Sequence, residues 1–234
     1  MNRLVLATVM FVLMVVLSVF MHQRNARRPA MLERIIWDEN RLQLVPHDSV
    51  NKLLKLVLSD SASALKSGIN LRNIEHTLNQ NPWVEDAQSF LNIDGGVGVH
   101  LTSKLPIVRV QGDSSYYLDG SGQPFPLSNY RSAVVPIFYG NPNENQRLTL
   151  VDAVQKTNQD AFMSDHVVAY EWLPEGLALE TRNQAYQIVL GVPNQLEQKF
   201  KKYKAFYAKM QDSAVLKTYK KVNLSFHGQV VCSK

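Results

Sequence analysis

The sequence predicts an α+β protein: an N-terminal transmembrane helix, a βααββ module, then a mostly antiparallel β domain with packed helices. Three observations carry this. Leu4 to Met21 is an 18-residue apolar run interrupted only by Thr8 and Ser18. Residues 32–110 switch between helical and strand periodicity in the order strand, helix, helix, strand, strand. From 111 to 234, short strand patterns separated by turn residues dominate. Residues 1–3 are then a short tail, 4–21 the membrane helix and 22–31 a polar linker.

As a helix the apolar run spans about 27 Å, just under a hydrocarbon thickness of roughly 30 Å. Arg3 and Arg24 can snorkel across the deficit. The run exceeds a signal peptide's usual apolar stretch of about 7–15 residues and exits through Val19-Phe20-Met21-His22 without a small-residue cleavage site. A retained single-pass anchor follows. Arg24, Arg27 and Arg28 after the run, against Arg3 before it, place the C-terminal side in the cytoplasm by a literal positive-inside count.

Composition narrows function. The 234 residues carry a net charge of +5 and one cysteine. Of the 25 Lys+Arg, four lie in residues 1–28, which hold no acid, leaving 21 against 20 Asp+Glu in the remainder. That remainder lacks the basic footprint of a nucleic-acid binder. A single cysteine excludes an internal disulfide framework and CxxC-type sites.

Within 32–110, Arg34 to Trp37 reads as a strand. Asp48 or Ser49 caps a helix whose Val50, Leu53, Leu54, Val57 and Leu58 form one apolar stripe. Gly68 breaks the chain, Asn70 caps a second helix with Leu71, Ile74 and Leu78 on one face, and Pro82 fixes its stop. Ser89 to Ile93 turns through Asp94-Gly95-Gly96 into Val97, Val99 and Leu101, which alternate with polar or small residues. In the second domain, strands are expected at 116–118, 134–139, 167–173, 177–181 and 187–190. Helices are expected at about 148–163 and 194–211, the latter with its lysines solvated in preference to forming a site for an anionic partner.

The chain end has the sharpest pattern. Val222, Leu224, Phe226, Val230 and Cys232 share one parity, with Gly228 the gap, and Asn223, Ser225, His227, Gln229 and Ser233 share the other. This reads as one half-buried strand. It either closes its own sheet or leaves an edge whose unpaired N–H and C=O groups another chain can use.

No catalytic, cofactor or metal site emerges. Gly95-Gly96-Val97-Gly98 lacks the Lys-Ser/Thr of a phosphate loop, and no two histidines show HxxxH spacing. His47-Asp48-Ser49 reads as a turn and cap, Asp119-Gly120 as a turn, and Cys232 as a small core residue. An enzyme and a small-molecule substrate are disfavoured.

The order of parts resembles the bacterial cell-division FtsQ/DivIB family over essentially the whole chain. The module containing Ile69-Asn70-Leu71, Ile74-Glu75, Leu78, Asn81-Pro82-Trp83-Val84 and Ala87 is similar to that family's POTRA domain. Leu105-Pro106-Ile107-Val108-Arg109-Val110 and Tyr116-Tyr117-Leu118-Asp119-Gly120-Ser121-Gly122 are similar to the segments that follow it. Ser103-Lys104 depart from the family's common Gln-Arg. The resemblance implies an inner-membrane protein with residues 1–3 cytoplasmic and its bulk periplasmic, against the arginine count. It further implies a non-enzymatic scaffold, enriched at the septum, that recruits and links divisome proteins, with FtsB and FtsL as single-pass coiled-coil partners. The implied contact is the C-terminal edge strand, Val222, Asn223, Leu224, Ser225, Phe226 and Gln229, where Ser225 stands in place of a frequent Arg. A proline at Ser225 or Phe226 is expected to abolish docking. The alternatives are a POTRA-bearing assembly factor for exported proteins and a membrane-tethered cell-wall hydrolase.

Overall fold

The computed structural model describes residues 2–26, 31–38, 41–60, 69–92 and 96–234. Two compact units divide between Lys104 and Leu105. The boundary expected at 110/111 moves because residues 108–111 belong to the second unit's sheet.

Helix α1, Asn2–Ala26, contains a span at Val5–Arg24 with mean hydropathy 2.5, long and apolar enough to cross a membrane. It runs past Met21 because nothing from His22 to Ala26 breaks a helix. Strand β1 (Met31–Trp37), helices α2 (His47–Asp60) and α3 (Leu71–Asn79), and strands β2 (Val84–Leu91) and β3 (Gly96–Ser103) follow. The sheet order is β1-β3-β2, with β1 parallel and β2 antiparallel to β3. The βααββ order is as the periodicity requires.

Val50 and Leu54 of α2, and Ile74 and Leu78 of α3, are buried against Val97, Val99 and Leu101 of β3. Asn70 caps α3, its side chain accepting from Asn73 N–H at 3.2 Å. The α2 cap differs from expectation: Ser49 and Val50 N–H donate to Pro46 C=O, so the helix starts at His47. His47 Nδ1 accepts from the Trp37 indole at 2.7 Å, tying the helix start to the end of β1. Strand β2 begins at Val84, well before Ser89, because Val84 and Ala87 are buried too. The expected break at Gly68, the turn at Asp94-Gly95 and the Leu58 side chain lie outside the described residues.

The second unit holds β4 (Val108–Gln111), β5 (Ser115–Leu118), β6 (Pro124–Pro126), β7 (Ile137–Tyr139), β8 (Val167–Leu173), β9 (Gly176–Thr181), β10 (Gln187–Gly191), β11 (Lys221–Asn223) and β12 (Val231–Ser233). They form one nine-stranded sheet in the order β12-β11-β10-β9-β8-β7-β4-β5-β6. Most pairings are antiparallel; β4–β7, β7–β8 and β10–β11 are parallel.

The helix expected at 148–163 is two helices, α4 (Glu144–Gln159) and α5 (Ala161–His166). Asp160 ends the first and caps the second, its side chain accepting from Met163 N–H. Asn143 and Gln146 complete a capping box on α4. Helix α6 (Leu196–Met210) lies in the long connection from β10 to β11 and buries Leu196, Phe200 and Tyr203 in the main core.

Truncation of Leu54, fully buried between α2 and the sheet, is expected to cost about 3 kcal/mol as Leu54→Ala. Urea unfolding followed by the fluorescence of Trp37 and Trp83 checks this.

Candidate functional site

The C-terminal segment does not form the single strand its parity suggests. Lys221–Asn223 and Val231–Ser233 are separate strands, paired antiparallel as a hairpin. Asn223 Oδ1 accepts from Ser225 N–H (2.9 Å) and Oγ–H (2.6 Å), closing a turn that ends β11. Gly228 then takes φ +73, a conformation glycine adopts without strain. The parity persists at both ends, with Val222 and Leu224 in the core and Val230 and Cys232 packed against it. Between them Ser225, Phe226 and Gln229 are exposed loop residues. The glycine gap in the period-two series is the sequence's one sign of a hairpin.

This hairpin moves the edge. Strand β11 lies between β10 and β12, so Val222 and Asn223 are paired on both flanks and are not the open margin expected of them. Leu224 N–H donates to Val189 C=O at 2.8 Å, and the Lys202 ammonium takes both Leu224 C=O and Phe226 C=O. The open margin is β12, which ends the sheet order.

Its outward groups follow from the ladder. Gln187 N–H donates to Lys220 C=O and Leu224 N–H to Val189 C=O, so within β11 the main-chain groups of Val222 face β10. Lys221 and Asn223 therefore face β12, opposite Ser233 and Val231. Cys232, opposite Val222, falls in the non-bonded row, and its N–H and C=O point to the open side.

Two other margins are blunted chemically. At the far end of the large sheet, Asp119 N–H donates to Gln123 C=O, which puts 117/125 in the bonded row of the β5–β6 ladder. Residues 124 and 126 then face outward, and both are proline, so β6 offers no outward donor there. In the small sheet, Asn92 N–H donates to Gly96 C=O, so the odd-numbered Ser89 faces away from β3. Its N–H (2.8 Å) and Oγ–H (3.0 Å) are both capped by Glu75 Oε1. Strand β12 contains no proline, and among the described residues no side chain hydrogen-bonds to its main chain.

Beside β12 lie exposed apolar groups. Phe226 is 46% and Val231 43% exposed. Gly191, at φ +68, packs so closely that a Cβ there would stand 2.7 Å from Ser225 Cβ. Their chain neighbours Val192, 69% exposed, and Phe226 thus leave the sheet at the same end.

Helix α6 supports this end. Lys199 is buried, not solvated as expected, and donates to Leu190 C=O, Val192 C=O and Asn194 Oδ1. Burial, with neighbouring Lys202, lowers its pKa. Tyr203 and Tyr186 share a buried hydroxyl hydrogen bond at 3.0 Å, and burial raises both phenols. His166, at the end of α5, stacks on Phe162 (centroids 4.2 Å apart) and meets Tyr207 edge-on. Burial lowers the His166 imidazole below its usual range, with Asp165 opposing.

Among the described residues no three His, Cys, Asp or Glu side chains are grouped to hold a metal. Fold and margin define a membrane-anchored, two-module protein whose larger module ends in an unprotected strand. A family model described as "FtsQ/DivIB, C-terminal related" matches residues 105–233, coinciding with the second unit. The chain is also similar to the cell division protein FtsQ of Salinibacter ruber (strain DSM 13855 / M31), 24% identical over 206 residues, covering 81% of this chain and 78% of that protein. The chain belongs to the FtsQ/DivIB family of cell-division proteins, and its apolar α1 makes it a single-pass membrane member.

Because the folded state disfavours the His166 imidazolium, the unfolded chain binds more protons just below the ordinary histidine value of 6.5. Stability should rise with pH through that window and fall on acidification. Melting temperatures from pH 7.5 to 5.5 should decline less steeply for His166→Phe than for the wild type.

Proposed function

We propose that this protein is a non-enzymatic scaffold of the division machinery, which recruits and links other division proteins at the septum through the open edge of β12. The supporting observation is the contrast among margins: prolines deprive β6 of outward donors and Glu75 caps Ser89 on β2, while β12 carries neither device. A partner segment in extended conformation pairs with the Cys232 N–H and C=O, and its side chains meet Val231, Phe226 and Val192. Gln229, exposed in the adjoining loop, offers a polar contact. Ser225 is turned back onto Asn223, so no Arg–carboxylate contact is made from that position.

The family resemblance points to FtsB and FtsL as the partners and to the periplasm as the side on which the two units lie. Orientation then follows translocation of a long domain rather than the arginine count. The anchor confines the edge to the membrane plane, raising its effective concentration near other anchored chains.

Proline at Cys232 removes an outward donor without touching the bonded row facing β11, whereas proline at Ser225 destroys the turn itself. Cys232→Pro is therefore expected to lower capture of division proteins from crosslinked membranes at least tenfold, while Cys232→Ala captures at the wild-type level. Full capture by the proline variant counts against this edge. Recovery of outer-membrane polypeptides in place of division proteins would favour an assembly factor.

A further inference from the structure

Helix α6 carries five lysines, Lys199, Lys201, Lys202, Lys204 and Lys209, and they are not equivalent. Lys204 pairs with Asp160 at 2.6 Å, closing α6 on the α4–α5 junction. Lys199 is sunk under the β10–α6 turn. Lys202 reaches the C-terminal hairpin: its Nζ donates to Leu224 C=O at 2.8 Å and to Phe226 C=O at 2.7 Å. These two carbonyls flank Ser225, the residue at which the chain leaves β11.

Strand β12 is otherwise held lightly. Its ladder covers three residue pairs, supplemented by a bond from Lys220 N–H to Ser233 C=O. The loop that feeds it, residues 225–229, is exposed throughout. A cation that gathers two carbonyls on one nitrogen fixes the loop's departure angle, and charge-assisted bonds of this kind are stronger than neutral ones. It also withdraws both oxygens from any incoming chain, so that a guest strand cannot run on past β12 along residues 224–226.

We infer that Lys202 is a positioning residue: it clamps the β11–β12 hairpin from α6 and thereby holds the open β12 edge in place. The value of this clamp to partner docking rests on the function proposed above, but the clamp itself is testable without any partner. Cys232 is the chain's one cysteine, lies on β12 and is half-buried against the core, so a closed hairpin shields it and opening speeds its alkylation.

The experiment follows maleimide labelling of the full chain in detergent micelles, with melting temperature measured alongside. Lys202→Met should label on the order of tenfold faster than wild type without early melting. Lys202→Arg, which keeps a charged donor, should label within about twofold of wild type. Equal rates for wild type and Lys202→Met overturn the assignment; so does faster labelling that comes only with unfolding of the whole unit. Capture of division proteins by Lys202→Met separates the two ideas. Reduced capture supports both, whereas undiminished capture with a loosened Cys232 leaves the clamp standing and counts against β12 as the docking edge.

Discussion

The C-terminal end of the molecule depends on a parallel pairing. Strand β11 runs beside β10 in the same direction, and a chain leaving β10 can return that way only through a crossover that climbs over the sheet. That crossover is α6, and the requirement explains several features together. The helix must bury a face, which is why Leu196, Phe200 and Tyr203 lie in the core. Its lysines are brought over the carbonyl-bearing ends of β10 and β11, where Lys199 and Lys202 find acceptors. The returning chain then folds back as the β11–β12 hairpin, and β12 stands at the margin of the sheet.

Sheet margins are managed unequally. A strand edge is a template for any extended chain, and folded proteins usually blunt it. Here the blunting is local and chemical. Alternate prolines remove donors from β6, and one carboxylate on α3 satisfies Ser89 on β2. In the proposed mode of attachment, selectivity comes as much from edges that refuse a partner as from the one offered to it.

Much of the fold could be read from residues. The helix stripe Val50-Leu54, the Asn70 cap and the alternation Val97-Val99-Leu101 are local patterns, and the structure realises them. Parallel pairings could not be read, because β4–β7 and β10–β11 join residues far apart in the chain and leave no local periodicity. The C-terminal site was half legible. Parity identified Val222, Leu224 and Cys232 as inward-facing, but a period of two runs unchanged through a hairpin when the loop has the matching length. Only Gly228 and the Asn223–Ser225 turn distinguish two short strands from one long one. By periodicity Lys202 belongs to a solvated face, because the helical period of α6 carries no sign of the hairpin that lies above it.

The brevity of β12 sets how the proposed attachment would behave. Of its three residues only Cys232 turns its N–H and C=O outward, so β12 offers a guest about two main-chain bonds, each worth about 1 kcal/mol net. Such a seam alone would be dissociated at millimolar concentrations. Lasting association must therefore draw on apolar side chains around the seam and on the two-dimensional crowding that α1 imposes. A joint so built, weak in each part and firm only in sum, can be undone and remade.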